Sequence, residues 1–178
     1  MNDGLISKRY AKALLEFAAA RGEDKLMYDS MKSLAESIAA TPRLRELLQS
    51  PVAPNSDKEE LLCSAVGAAA GDGYRRFVRL ALKNRREGSL QNIALSYLDL
   101  YRRVHRIGRI SVVSAAPLSD TLADRIRYDV ERRTRGTVEL DVRVDPSLGG
   151  GFIFQMDDLR LDASVAGQLE KVRRRLAG

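Results

Sequence analysis

A few short stretches of this 178-residue chain hold residue types capable of chemistry, and each also has a plain structural reading. There is one cysteine and one histidine. Cys63 sits among Leu61, Leu62 and Val66 and reads as a small buried hydrophobe, not a nucleophile; a single thiol makes no internal disulfide. His105 has no Cys or His partners for a zinc site of the usual kind. Gly149-Gly150-Gly151 suggests a phosphate cradle, but no Lys-Ser or Lys-Thr follows and the next segment has a strand pattern, so a turn or bulge is expected. Asp157-Asp158 could hold a metal, yet adjacent acids at a hairpin tip form a turn. Lys83-Asn84-Arg85-Arg86 and Arg173-Arg174-Arg175 could grip phosphates; both fall in C-terminal helical turns, where cations complement the dipole. No Ser-His-Asp or Cys-His constellation assembles. The chain therefore reads as non-catalytic, with no cofactor and no metal.

The net charge is +6. Before Ile107 there are 18 basic and 13 acidic residues; from Ile107 onward there are 12 and 11. The excess lies in the first part, and a basic surface attracts nucleic acid, anionic lipid or an acidic protein partner without choosing among them. No apolar run has membrane-spanning length. The opening Met1-Asn2-Asp3-Gly4 lacks the basic and apolar regions of a signal peptide.

The elements that must position these residues fall into two regimes. Helical periodicity covers Gly4–Arg21, Glu23–Ala40, Pro42–Gln49, Asp57–Ala69, Gly73–Arg85 and Ser89–His105. Thr41 is placed to cap a helix opening at Pro42. Ser56 with Glu59 fits a capping box. Pro51 and Pro54 keep the intervening link extended. In the sixth segment Leu90, Ile93, Ala94, Tyr97, Leu98, Tyr101 and Val104 form one stripe.

Beyond Gly108 the pattern changes. Arg109–Ala115 carries β-branched Ile110, Val112 and Val113 and reads as a strand. Pro117-Leu118-Ser119 leads into a helix with Leu122, Ile126 and Val130. Thr137–Val144 alternates, with Val138, Leu140, Val142 and Val144 on one face and Glu139, Asp141 and Arg143 on the other. Asp145-Pro146-Ser147 breaks it. The glycines then open a strand Phe152–Met156, followed by Leu159–Leu161. Ser164 can cap a last helix striped by Val165, Leu169, Val172 and Leu176. The expected fold is α+β: an N-terminal six-helix bundle over 1–106, then a small β-α-β-β-β-α domain over 107–178 whose strand–helix–strand unit crosses over right-handedly.

Two helices are apolar over too wide an arc. In the first, Ile6, Tyr10, Ala13 and Phe17 cluster on one side and Ala11, Leu14, Leu15 and Ala18 beside them, covering roughly 220°, where a surface helix needs a stripe of about 100°. In the fifth, Tyr74, Phe77, Val78, Leu80, Ala81 and Leu82 span roughly 200°. Either both helices are central, or they share a groove, built from Ile6, Tyr10, Ala13, Phe17, Phe77 and Leu80, that receives an amphipathic helix.

Several motifs, in order, resemble the delta subunit family of F-type ATP synthases, whose mitochondrial relative is the oligomycin-sensitivity-conferring protein. They are Ser7-Lys8-Arg9-Tyr10-Ala11-Lys12-Ala13-Leu14, Phe77 to Arg86 with its closing Lys83-Asn84-Arg85-Arg86, and Val113-Ser114-Ala115-Ala116-Pro117-Leu118-Ser119. Asp145-Pro146-Ser147-Leu148-Gly149-Gly150-Gly151-Phe152 and Asp162-Ala163-Ser164-Val165-Ala166-Gly167-Gln168-Leu169 complete the series. Ala163 stands where the family usually has Gly, and Ala166 where it usually has Arg.

The resemblance implies a non-catalytic stator subunit. Its first and fifth helices would bind the N-terminal helix of an alpha subunit through Ile6, Tyr10, Ala13, Phe17, Phe77, Leu80 and Asn84. Its C-terminal domain would hold the peripheral-stalk b subunit, with Phe152, Phe154, Val165 and Leu169 as contacts. It further implies a protein that is monomeric when isolated, binds no nucleic acid, and meets the membrane only through the complex, on the cytoplasmic face of a bacterial inner membrane. The competing expectation is a small basic RNA-binding helical protein of the antitermination type. No aromatic-basic ribonucleoprotein motif supports it.

Overall fold

The computed structural model describes residues 3–67, 70–134, 136–156 and 159–177. Among these it forms eight α-helices and one four-stranded mixed sheet, and the chain divides into two compact units, residues 1–104 and 105–178.

The first unit contains α1 (Asp3–Ala20), α2 (Asp24–Ala40), α3 (Pro42–Gln49), α4 (Asn55–Val66), α5 (Asp72–Lys83) and α6 (Leu90–His105, whose last residue lies past the unit boundary). A single 3-10 turn, Glu87–Ser89, leads into α6. Each helix exists because its apolar residues recur at helical spacing and bury one stripe. The interior holds Met31, Leu34, Leu62, Val78, Leu90, Ile93 and Tyr97, none more than marginally exposed. Two buried tyrosine hydroxyls are satisfied across helices. The Tyr74 hydroxyl donates to the Leu62 carbonyl at 2.9 Å, linking α5 to α4, and the Tyr97 hydroxyl to the Asp24 carbonyl at 3.2 Å, linking α6 to α2. Tyr28 stacks on Tyr101 with ring centroids 4.4 Å apart.

Two expected caps differ from the structure. Thr41 makes no side-chain cap; its extended backbone ends α2, donating to the Ser37 carbonyl, and begins α3. Ser56 and Glu59 form no capping box, because α4 starts earlier, at Asn55, with Lys58 N–H bonded to the Pro54 carbonyl at 3.2 Å. Glu59 instead accepts from Arg79 at 2.7 Å. Helix α4 is described to Val66; the expected end at Ala69 lies outside the described residues.

The second unit orders its strands β2-β1-β3-β4, with β1 Gly108–Ser114, β2 Val138–Val144, β3 Phe152–Met156 and β4 Leu159–Asp162. Helix α7 (Asp120–Thr134) connects β1 to its parallel neighbour β2, and β3 and β4 add antiparallel. Registers Val112↔Val142, Val112↔Phe154 and Phe154↔Leu161 put Ile110, Val112, Leu140, Val142, Phe154 and Leu161 on one face. Ile110, Val112 and Val138 are buried there, with Leu118 and Val130 packed over them. Along β2 the cover runs out: Val142 and Val144 are exposed, although the alternation alone places them on the buried side. The turn expected at Asp157-Asp158 lies outside the described residues, as do the side chains of Val172, Arg175 and Leu176 on α8 (Val165–Ala177).

The three glycines make a turn, as their context predicts. Gly149 and Gly151 lie at φ +66° and +74°, and a Cβ on Gly151 would collide with the Ala163 carbonyl oxygen. On each side of this turn an Asp-X-Ser unit repeats the same local solution. Asp145 accepts from the Ser147 N–H and hydroxyl at 2.9 and 2.6 Å, and Asp162 from the Ser164 N–H and hydroxyl at 3.0 and 2.6 Å. These bonds favour the ionised form and hold both carboxyls below their ordinary range. The Ser164 hydroxyl also accepts from Gly167 N–H at 3.0 Å, which makes it the cap of α8. Ala163 is not at positive φ, so glycine's backbone freedom is not needed there.

Candidate functional site: a cleft between two helices

Helix α1 divides its wide apolar arc between two environments. Ala11, Leu14, Leu15 and Ala18 are buried in the first unit. Ile6 and Tyr10 are half-buried, and Ala13 is exposed. Helix α5 does likewise: Tyr74, Phe77, Val78, Ala81 and Leu82 are buried, while Leu80 is 50% exposed. Between the two open flanks lies a cleft of about 460 Å³ lined by Ile6, Arg9, Tyr10, Ala13, Leu80 and Arg86.

The end of α5 sets one rim of this cleft. Arg86 N–H bonds to the Ala81 carbonyl at 2.9 Å and Arg85 N–H to the Leu82 carbonyl at 3.0 Å. That is the Schellman pattern, which needs a left-handed residue just past the helix. Arg85 supplies it at φ +52°, a conformation that costs a non-glycine residue energy. Helix α1 ends in the same pattern, Glu23 N–H to Ala18 and Gly22 N–H to Ala19, with Gly22 at φ +67°. The sharp reversal at Arg85 carries Arg86 back to the α1 side. Asn84, the C-cap residue, donates its side-chain amide to the Tyr10 hydroxyl at 3.0 Å.

Of the residues expected to form a groove, Ile6, Tyr10, Ala13 and Leu80 line one cleft, and Asn84 braces it through Tyr10. Two do not. Phe77 is 5% exposed, because its position on α5 turns inward with Val78 and Ala81, and it supports the wall from behind. Phe17 is 38% exposed but lies toward the other end of α1, under the Arg21 guanidinium at 5.5 Å, itself paired to Glu23 at 3.0 Å. Arg9 and Arg86 were not expected. Arg9 reads as part of the polar arc, and Arg86 as a last-turn cation; only the Schellman turn reveals its placement.

The second unit's expected contacts also separate. Phe152, Val165 and Leu169 are 43%, 45% and 64% exposed. Phe154 is half-buried and packs against the Ile110–Val112–Val138 core, so it is chiefly structural. Leu159 and Leu161 are also exposed, on the same sheet face as Phe154, and nothing in the strand pattern distinguishes them as contacts.

Cys63 is half-buried instead of buried, and desolvation pushes its thiol up, away from the reactive thiolate. Among the described residues no group of His, Cys, Asp and Glu could hold a metal ion, and no helix is long and apolar enough to cross a membrane.

Comparison with known proteins identifies the family. The family model described as ATP synthase delta (OSCP) subunit matches residues 6–176. The chain is 42% identical over 171 residues to a protein of Phocaeicola vulgatus named ATP synthase subunit delta, covering 96% of this chain and 92% of that one. A protein of Bacteroides thetaiotaomicron with the same name is 43% identical over 178 residues, covering 97% and 94%. Among solved structures, a chain in the mitochondrial ATP synthase hexamer of Toxoplasma gondii shares the fold, with a TM-score of 0.70 at 17% identity over 97% of each chain. With a match running through both units and relatives aligned nearly end to end, this chain belongs to the ATP synthase delta (OSCP) subunit family.

Proposed function

We infer that this chain is the non-catalytic stator subunit of an F-type ATP synthase. A shaft turning inside a catalytic head exerts an equal and opposite torque on the head. A head that turns with the shaft does no chemical work, so it must be tethered. The first unit grips an amphipathic helix at the N-terminus of an alpha subunit in the α1/α5 cleft. The second unit holds the peripheral-stalk b subunit on the exposed apolar residues Phe152, Val165 and Leu169. The protein meets the membrane only through the complex, on the cytoplasmic face of a bacterial inner membrane.

The cleft is the observation that carries this reading: Ile6, Tyr10, Ala13 and Leu80 stay accessible on two helices whose other faces are buried. Leaving apolar side chains in water forgoes about 25 cal/mol per Å² of burial, which a partner helix recovers. A tether needs slow release, and a nanomolar contact corresponds to about 12 kcal/mol, within reach of a few well-seated apolar anchors. Two units on two partners add avidity. Titration calorimetry of the full chain with a peptide of the alpha-subunit N-terminus tests it. Submicromolar binding that Leu80→Ala and Tyr10→Ala both weaken is expected. Absence of heat and of any shift in the cleft resonances would remove the groove assignment.

A further inference from the structure

Helix α5 walls a second and larger cavity, of about 1030 Å³. Leu80 faces the first cleft, whereas Arg79, Leu82 and Lys83 face this one. Another wall is the link from α3 to α4 with the first residue of α4, where Pro51, Ala53 and Asn55 line the cavity. Pro51 and Pro54 stiffen that link, and Val52 beside them is 88% exposed.

The charges here are unbalanced. Lys58, Arg79, Lys83 and Arg85 meet only Glu59 and Glu87, an excess of two cations. Arg79 is taken by Glu59 at 2.7 Å. Lys58 is 4% exposed, and its ammonium reaches Glu87 only at 3.5 Å, a long bond for so buried a charge. Lys83 and Arg85 form no ion pair among the described residues. The left-handed turn that sends Arg86 to the first cleft leaves Arg85 lining this one. Among the described residues no aromatic ring lines the cavity to stack a nucleobase, and its size lies at the upper end of small-ligand sites.

We propose that this cavity is a second docking site on the first unit, and that it receives an extended acidic peptide segment of a protein partner. Carboxylates of the segment pair with Lys83 and Arg85, and its small apolar side chains rest on Pro51, Ala53 and Leu82. The site is separate from the α1/α5 cleft and stands or falls independently of it. The rigid proline link keeps the ordering cost low.

Fluorescence anisotropy of the full chain with a fluorescein-labelled peptide of repeating Glu-Pro-Ala triplets, which stays extended, tests the site, with amide shifts locating it. Binding that weakens with salt and shifts Ala53 and Leu82 is expected. The double variant K83E/R85E should weaken it about tenfold or more. Thermal unfolding confirms that the variant is folded. Ile6→Ala, which touches only the first cleft, should leave it unchanged, which separates the two sites. Equal weakening by K25E/K32E on α2 would reduce the effect to general surface charge and overturn the proposal. Full displacement by inorganic phosphate would make it a bare anion site and overturn it equally, as would shifts confined to the α1/α5 cleft.

Discussion

The Asn84 amide donates to the Tyr10 hydroxyl at 3.0 Å, so the residue that ends α5 is tied to the middle of α1. This bond spans the cleft's two walls and fixes the Tyr10 ring as part of its lining. Tyr10→Phe keeps the ring and loses the tether. Because the pair is exposed, its stability cost should stay within about 1 kcal/mol. Tyr10→Ala removes an anchor and should weaken binding of an alpha-subunit N-terminal peptide by about 2 kcal/mol or more, read by calorimetry. Equal affinity of Tyr10→Ala and the parent chain would discard Tyr10 as an anchor.

Leu80 and Phe77 lie three residues apart on α5 and should respond oppositely. Leu80→Ala should change unfolding free energy by no more than about 0.5 kcal/mol, since the side chain is half exposed. Its effect belongs to binding. Phe77→Ala opens a cavity behind the wall and should cost about 3 to 5 kcal/mol of stability. Urea unfolding of both variants decides; similar midpoints would contradict the division of α5 into two faces.

Arg85 holds a backbone conformation that suits glycine. Left-handed geometry costs an L-residue about 1 to 2 kcal/mol, and glycine returns about 0.4 to 1 kcal/mol of that through a freer unfolded chain. Arg85→Gly should therefore stabilise the protein by about 0.5 to 1 kcal/mol in urea titrations. Destabilisation would mean that the guanidinium makes a contact worth more than the backbone strain.

Burial pushes the Tyr74 and Tyr97 hydroxyls above the usual tyrosine range. The folded state thus keeps these protons more tightly than the unfolded chain. The associated stability is whole below the unfolded pKa, near 10, and drains away as pH rises from there toward the folded value. Tyr97→Phe loses the bond to the Asp24 carbonyl, about 1 kcal/mol at neutral pH. It should also lose less stability than the parent between neutral and strongly alkaline pH. Parallel alkaline profiles in guanidinium titrations would show that this hydroxyl has no part in the decline.

Gly151→Ala places a methyl group against the Ala163 carbonyl at a positive φ. The second unit should lose about 3 kcal/mol or more, visible as loss of its strand signals in NMR while those of the first unit persist. An undisturbed spectrum would show that the turn can move.

Helical and strand periodicity made the elements legible in the sequence, because burial on one side repeats at 3.6 or 2 residues whatever the neighbours are. The excess width of the apolar arcs on α1 and α5 was legible for the same reason. Which apolar residue looks inward was not. Phe77 and Leu80 differ only in rotation about α5, and that angle depends on partners distant in sequence. The cap failed at Ser56 because a suitable side chain does not fix which residue starts the helix, whereas Thr41 does precede α3 but its side chain makes no bond to it. The place of Arg86 in the cleft was not legible, because it depends on an arginine in a conformation that composition assigns to glycine. Val142 and Val144 were misjudged because alternation reports which face a residue takes, not how far α7 extends to cover it.

The polypeptide enters the second unit through β1, an inner strand bonded to β2 on one side and β3 on the other. Tension arriving along the backbone at Gly108 pulls that strand lengthwise between its neighbours. It loads two ladders in shear together, instead of peeling an edge strand one bond at a time. Within the second unit the entering chain is thus anchored at the place in its sheet where it is hardest to draw out.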